Sequence, residues 1–209
     1  DPVMFSSRAR KLGLGDGNRI IVYDQFNFFA SARVWWMLRV MGQRDVKVLD
    51  GGLKAWTDAG GETEDLPPVA VERHFTARVR SDLLKDSDQM LAASANSSHN
   101  IIDSRSAERF SGEAPEPREG LPSGHIPGSI CLPSGELRTE DGRMKSAEEL
   151  GKLFPNPLAP TIATCGSGVS AAVTALALAR LGNWDVAVYD GSWAEWASDA
   201  SRPVATGTA

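Results

Sequence analysis

A chain of 209 residues, 42% apolar and 23% charged, has the make-up of a soluble globular protein and the length for one large domain or two small ones. Its formal charge of −5 excludes a general attraction to nucleic acid or to an anionic membrane, so any basic site must be local. Two cysteines, Cys131 and Cys165, make neither a metal cluster nor a disulfide framework; a reducing compartment fits them best, with Cys165 free for chemistry. No secretory signal opens the chain, and the apolar run near Cys165 falls short of the ~20 residues that span a bilayer.

In chain order, residues 2–14 read as a helix and "RIIVYD" (residues 19–24) as a central strand. Then come a helix ended by Gly42, a short Val-rich strand, an Asp-Gly turn and a helix bearing Trp56. Residues 60–74, acidic and proline-bearing, read as a linker. Beyond it, "NIIDSR" (residues 100–105) is a buried strand and "ICLP" (residues 130–133) a short strand stopped by Pro133. "KSAEELGKLF" is a helix capped at Ser146, with Glu149 completing a capping box. "TIAT" (residues 161–164) is a strand, residues 169–182 a helix ended by Gly182, "DVAVYD" a strand and "WAEWAS" a short helix. Alternating strands and helices imply parallel sheets with helices on both faces. The six tryptophans read as packing residues.

A shift of 140 positions lays residues 41–56 over residues 181–196 without a gap, pairing Gly42 with Gly182, Asp50 with Asp190 and Trp56 with Trp196. Such self-similarity marks a duplicated unit. The expected division is a partial first unit at 1–59, the linker at 60–74, a second unit at 75–200 and a tail at 201–209. By the same shift the leading strand of the first unit would fall before residue 1. The sequence therefore predicts a longer protein, with roughly 65 or more residues ahead of Asp1.

The chemistry concentrates in "TCGSGVSAA". Cys165 ends a strand and stands before a glycine-bearing loop that opens a helix, the place where open parallel sheets bind ligands. The amides of residues 166–170 and the helix N-terminus can stabilise a thiolate there, and Gly166 and Gly168 permit the tight curl this needs. A phosphatase loop would offer arginine six positions after the cysteine; the residue here is Ala171. The extended alignment puts Gln25 opposite Cys165, in a stretch without the glycines, so the first unit is not expected to form the same anion-binding nest.

The ends "DGGLKAW" and "DGSWAEW", the "GHIPGS" turn and the "CGSGVS" loop resemble a tandem rhodanese-type sulfurtransferase over nearly the whole chain. Cys-Gly-Ser-Gly-Val is the loop of 3-mercaptopyruvate sulfurtransferases in that family, whereas thiosulfate-using members carry Cys-Arg-Lys-Gly-Val. The resemblance implies that Cys165 is the nucleophile and carries a persulfide, with Ser167 hydrogen-bonding the substrate or relaying a proton. It also implies that Arg109 and Arg118 bind the donor carboxylate and ketone, and that Gly166, Gly168, Val169 and Ser170 line the donor site. Either arginine could instead pair with Glu113, Glu116 or Glu119. Arg105 and His125 are expected to be structural. In tandem members the first domain is silent, walls the active-site cleft and supplies polar residues from a segment that has no counterpart here.

The implied partners are a small sulfur donor and an acceptor such as thioredoxin, a low-molecular-weight thiol or cyanide. No metal or organic cofactor is implied, nor nucleic acid or a membrane, and the expected location is cytoplasmic, or mitochondrial in a eukaryote. The alternatives are a thiosulfate sulfurtransferase and a non-catalytic rhodanese-like module that binds a protein, against which a retained nucleophile beside two arginines argues.

Overall fold

The computed structural model describes residues 1–25, 28–66 and 69–208, in two compact units, Asp1–Ser81 and Asp82–Ala209. In the first, α1 (Pro2–Lys11) begins at Asp1, whose carboxylate accepts the amides of Val3 and Met4, with Pro2 in the first turn where no amide is needed. β1 (Ile20–Val22), α2 (Phe29–Val40), β2 (Val46–Val48) and α3 (Gly52–Asp58) follow. The two strands are parallel, in a register that pairs Ile20 with Val46 and Val22 with Val48. Trp35, Trp36, Leu38 and Val40 of α2 are buried with Val46 and Phe75.

Residues 75–81, expected at the head of the second unit, group with the first. The amides of Arg78 and Arg80 donate to Met41 O (2.9 Å) and Val40 O (2.8 Å), satisfying carbonyls at the end of α2.

The second unit holds a five-stranded parallel sheet of order β3-β7-β6-β4-β5. Its elements are β3 (Leu84–Lys85), α4 (Ser87–Asn96), β4 (Asn100–Asp103), α5 (Ala107–Ser111), β5 (Ser129–Cys131), α6 (Ala147–Leu153), β6 (Thr161–Thr164), α7 (Ala171–Arg180), β7 (Ala187–Tyr189) and α8 (Ser192–Trp196). All four residues of β6 are buried, as a central strand between two neighbours requires. The capping box of Ser146 and Glu149 is formed at the head of α6. A second, between Asp86 and Gln89, starts α4.

The segment expected as a tail is tied down. His125 and Ala205 exchange both backbone hydrogen bonds, at 2.8 and 2.9 Å, and Trp196 Nε1 donates to Pro203 O. Of the tryptophans, Trp35, Trp36, Trp193 and Trp196 are buried, whereas Trp56 and Trp184 are about half exposed.

Candidate active site

Cys165 lies one residue past the carboxyl end of β6 and is 1% exposed. α8 clamps its backbone: the amides of Trp193 and Ala194 donate to Cys165 O (2.9 Å) and Gly166 O (3.0 Å). The Cys165 amide donates to Ser192 Oγ (3.2 Å), and that hydroxyl donates onward to Tyr189 O (2.8 Å), with Cys165 Sγ 4.0 Å away. Ser192 does this from the left-handed region, at φ 52°.

From Cys165 the chain curls through Gly168, at φ +75°, into α7. The amides of Ser167, Val169, Ser170 and Ala171 make no hydrogen bond among the described residues, and no side chain caps α7. Thr164 Oγ1, just before the cysteine, is buried without a partner among the described residues. A row of open amides at a helix N-terminus is a ready seat for an anion. Ser167 is exposed there, and Val169 and Ser170 are half-buried.

The first unit corrects the expected pairing of Gln25 with Cys165. Val22 pairs with Val48, while Ala163 pairs with Val188, the counterpart of Val48. Leu53 N–H donates to Asp24 O just as its counterpart Trp193 N–H donates to Cys165 O. Asp24, not Gln25, therefore stands where Cys165 stands. The first unit has one residue more between this position and the matching helix position, seven from Asp24 to Ser31 against six from Cys165 to Ala171, which a gap-free shift cannot register. Asp24 Oδ2 accepts the amides of Ala30 (3.0 Å) and Ser31 (2.8 Å), the counterparts of Ser170 and Ala171. A fixed carboxylate fills in one unit the seat left open in the other.

Arg109, on α5, reaches this loop. A Cβ built on Gly166 would lie 2.9 Å from Arg109 Nη2 and 3.7 Å from Nη1. The same guanidinium is ion-paired with Glu116, Nη2 to Oε2 at 2.6 Å and Nε to Oε1 at 3.2 Å. Arg109 thus stands beside the loop while making the glutamate pair that the sequence offered as the alternative.

Glu116 is shared with Arg105, whose Nη1 donates to Oε1 at 2.8 Å. Arg105 is buried, bonds both carboxylate oxygens of Asp103, donates to Gly124 O (2.7 Å) and lies 4.6 Å over the Trp193 ring. Burial opposes its charge, yet the hydrogen bonds and charges of Asp103 and Glu116 raise its pKa. These are the contacts of a structural residue.

Arg118 is exposed and makes no hydrogen bond or ion pair among the described residues. His125 is buried, stacked on Phe110 at 3.8 Å with Nδ1 2.9 Å from Phe110 O, away from any base role. The Cys131 thiol is pushed up to about 11 by burial and then by the charge of Asp103. Glu116 is read in the sequence only as one of three possible partners for an arginine, and Ser192 and Asp24 are not read at all. The repeated "EAPEPREG" acids offered a pairing signal for the first, but nothing singled out the other two.

A Rhodanese-like domain model matches residues 4–59 and 86–199. The chain is 38% identical to "Thiosulfate/3-mercaptopyruvate sulfurtransferase 2" of Arabidopsis thaliana, over 96% of this chain and 66% of that protein. It is 40% identical to the 3-mercaptopyruvate sulfurtransferase of Escherichia coli K12, over 97% of this chain and 73% of that one. Among solved structures it superposes on SseA from Escherichia coli, described as a 3-mercaptopyruvate sulfotransferase, with a TM-score of 0.81 and 37% identity. That match covers 92% of this chain and 73% of SseA. The chain thus spans about two thirds of the plant relative's length.

Proposed function

The chain belongs to the family of rhodanese-like domains, and from that premise we propose that it moves sulfur from 3-mercaptopyruvate to a thiol or to cyanide through a persulfide on Cys165. The Cys165 thiolate attacks the donor sulfur, the carbon–sulfur bond breaks and its electron pair leaves as the enolate of pyruvate, which takes up a proton. The outer sulfur stays on Cys165 until an acceptor thiolate, such as that of thioredoxin, removes it; persulfidation is a reversible state of cysteine.

The observation that carries this reading is the Arg109 guanidinium against Gly166, one residue from the nucleophile, where a donor carboxylate can be held beside a reacting sulfur. The unpartnered amides of Ser167, Val169, Ser170 and Ala171 support it as donors to the anionic sulfur. Arg118, exposed on the same segment as Glu116, is assigned to the donor as well, and Ser167 to its hydrogen bonding or proton relay. We assign the chain to the cytoplasm, or to the mitochondrion in a eukaryote. Separately, among the described residues no helix is long and apolar enough to cross a membrane.

Thiosulfate is the second donor to consider, because the plant relative's name carries both. The loop from Cys165 to Ser170 contains no cation, which favours the monoanionic carboxylate donor over a compact dianion. Intact mass after exposure to 3-mercaptopyruvate should rise by one sulfur, reversibly on reduction, and Cys165→Ser should abolish the gain. Steady-state kinetics should give the higher kcat/KM for 3-mercaptopyruvate. A higher value for thiosulfate would reverse the donor assignment, and no sulfur gain from either donor would leave the protein-binding module.

A further inference from the structure

We propose that Gly166 and Glu116 are positioning residues for Arg109, the one by leaving space and the other by fixing orientation, an inference that rests on the sulfurtransferase reading. Glu116 takes two of the five guanidinium N–H groups, one on Nε and one on Nη2. The three that remain are on Nη1 and Nη2, the nitrogens that face the place of a Cβ on Gly166. The donors left for a ligand carboxylate are therefore the ones beside Cys165. The anchor itself does not move freely: the Glu116 side chain is 3% exposed and is held from its other side by Arg105, which Asp103 and Gly124 fix in turn.

Space is the second condition. At 2.9 Å from Nη2, even a methyl group on residue 166 would make the end of the Arg109 side chain shift from its present place. A side chain on residue 166 and Arg109 in its present place compete for the same space. The missing side chain of Gly166 thus does more than keep charge out of the loop; it decides where the site's cation stands. A carboxylate set back from the donor sulfur meets a cation mounted on α5, whereas a cation on the loop would suit charge carried next to the sulfur.

The test uses the full chain with Glu116→Gln, Gly166→Ala, Arg109→Ala and the two doubles containing Arg109→Ala. Sulfur loading of Cys165 is followed by intact mass against 3-mercaptopyruvate concentration. Each single positioning variant should raise the half-saturating concentration about tenfold and leave the limiting rate within about threefold, as loss of an oriented charge-assisted contact requires. In the Arg109→Ala background each should add less than about twofold, since both act through that side chain. Phenylglyoxal modification of Arg109, read by peptide mass, should run several-fold faster in Glu116→Gln, where the paired carboxylate is gone. Full multiplicative effects in the doubles, or an unchanged modification rate, would overturn the proposal. If wild-type protein takes up no sulfur, the sulfurtransferase reading falls, and the phenylglyoxal rate still decides the positioning role. Should Gly166→Ala fail to fold, the Glu116 comparison decides alone.

Discussion

Ser192 is the residue where backbone cost and site geometry meet. A non-glycine residue in the left-handed region is disfavoured by roughly 1–2 kcal/mol, yet this one is fully buried and gives the Cys165 amide its acceptor. Two substitutions separate the contributions. Ser192→Ala keeps the backbone cost and strands a buried amide, while Ser192→Gly strands the amide but relieves the cost. The glycine variant should therefore be the more stable by about 1 kcal/mol, measured by thermal or urea unfolding; equal stability would mean that the backbone is not strained there. The arginines allow a different comparison. Replacing Arg109 or Arg118 with Ala should lower kcat/KM for 3-mercaptopyruvate about tenfold to a hundredfold, because a hydrogen bond to a charged group contributes about 1.5–3 kcal/mol. Alkylation of Cys165 by neutral iodoacetamide should stay unchanged in both. Loss of alkylation in Arg109→Ala would mean that this side chain, lying against Gly166, organises the loop instead of the donor.

Among elements, α2 and α7 are corresponding helices of the two units and treat the amides at their starts in opposite ways. α2 is held by Asp24 from the preceding strand end, through the amides of Ala30 and Ser31. Asp24→Ala should cost the first unit about 1–2 kcal/mol, as the loss of a helix cap does, with Asp24→Asn closer to wild type; unfolding midpoints decide between them. No such penalty is expected at Thr164, whose hydroxyl bonds to nothing among the described residues. The contrast also marks how far the sequence could be read. Strong local signals carried α6, where Ser146 and Glu149 close a capping box, and the strands on either side of the Cys165 loop. The pair Asp86 and Gln89 closes the same kind of box at α4, ahead of the apolar Met90 and Leu91, a local signal as regular as that of α6. The one-residue slip at Asp24 lay outside the identical segments, in a loop where only hydrogen-bond register fixes the correspondence. Glu116 was visible only as one of several acids. Its role depends on Arg105 and Arg109 converging from a strand end and a helix, which no spacing in the chain encodes.

At the scale of the whole molecule, the division at Ser81 gives each unit its own buried apolar residues, Trp35, Trp36 and Phe75 in the first and Ile162, Val188, Trp193 and Trp196 in the second. The candidate chemistry lies within the second, from the Asp103–Arg105 pair to the amides ahead of α7. One further property belongs to the chain as a whole, since it holds just two thiols. With its pKa near 11, Cys131 is ionised in only about one molecule in a thousand at pH 8, and the thiolate is the form that reacts. An electrophile applied to the folded protein should leave Cys131 unmodified at neutral pH and gain on it about tenfold for each unit of pH up to that value. Unfolding removes the burial and the neighbouring carboxylate together, and the second thiol then becomes countable. Cys131 is in this sense an internal standard: the denatured count exceeds the native count by one Cys131 thiol per chain, and adducts carrying an extra sulfur at Cys165, resolved by mass and scaled to that difference, measure the fraction of chains whose Cys165 is already occupied by sulfur.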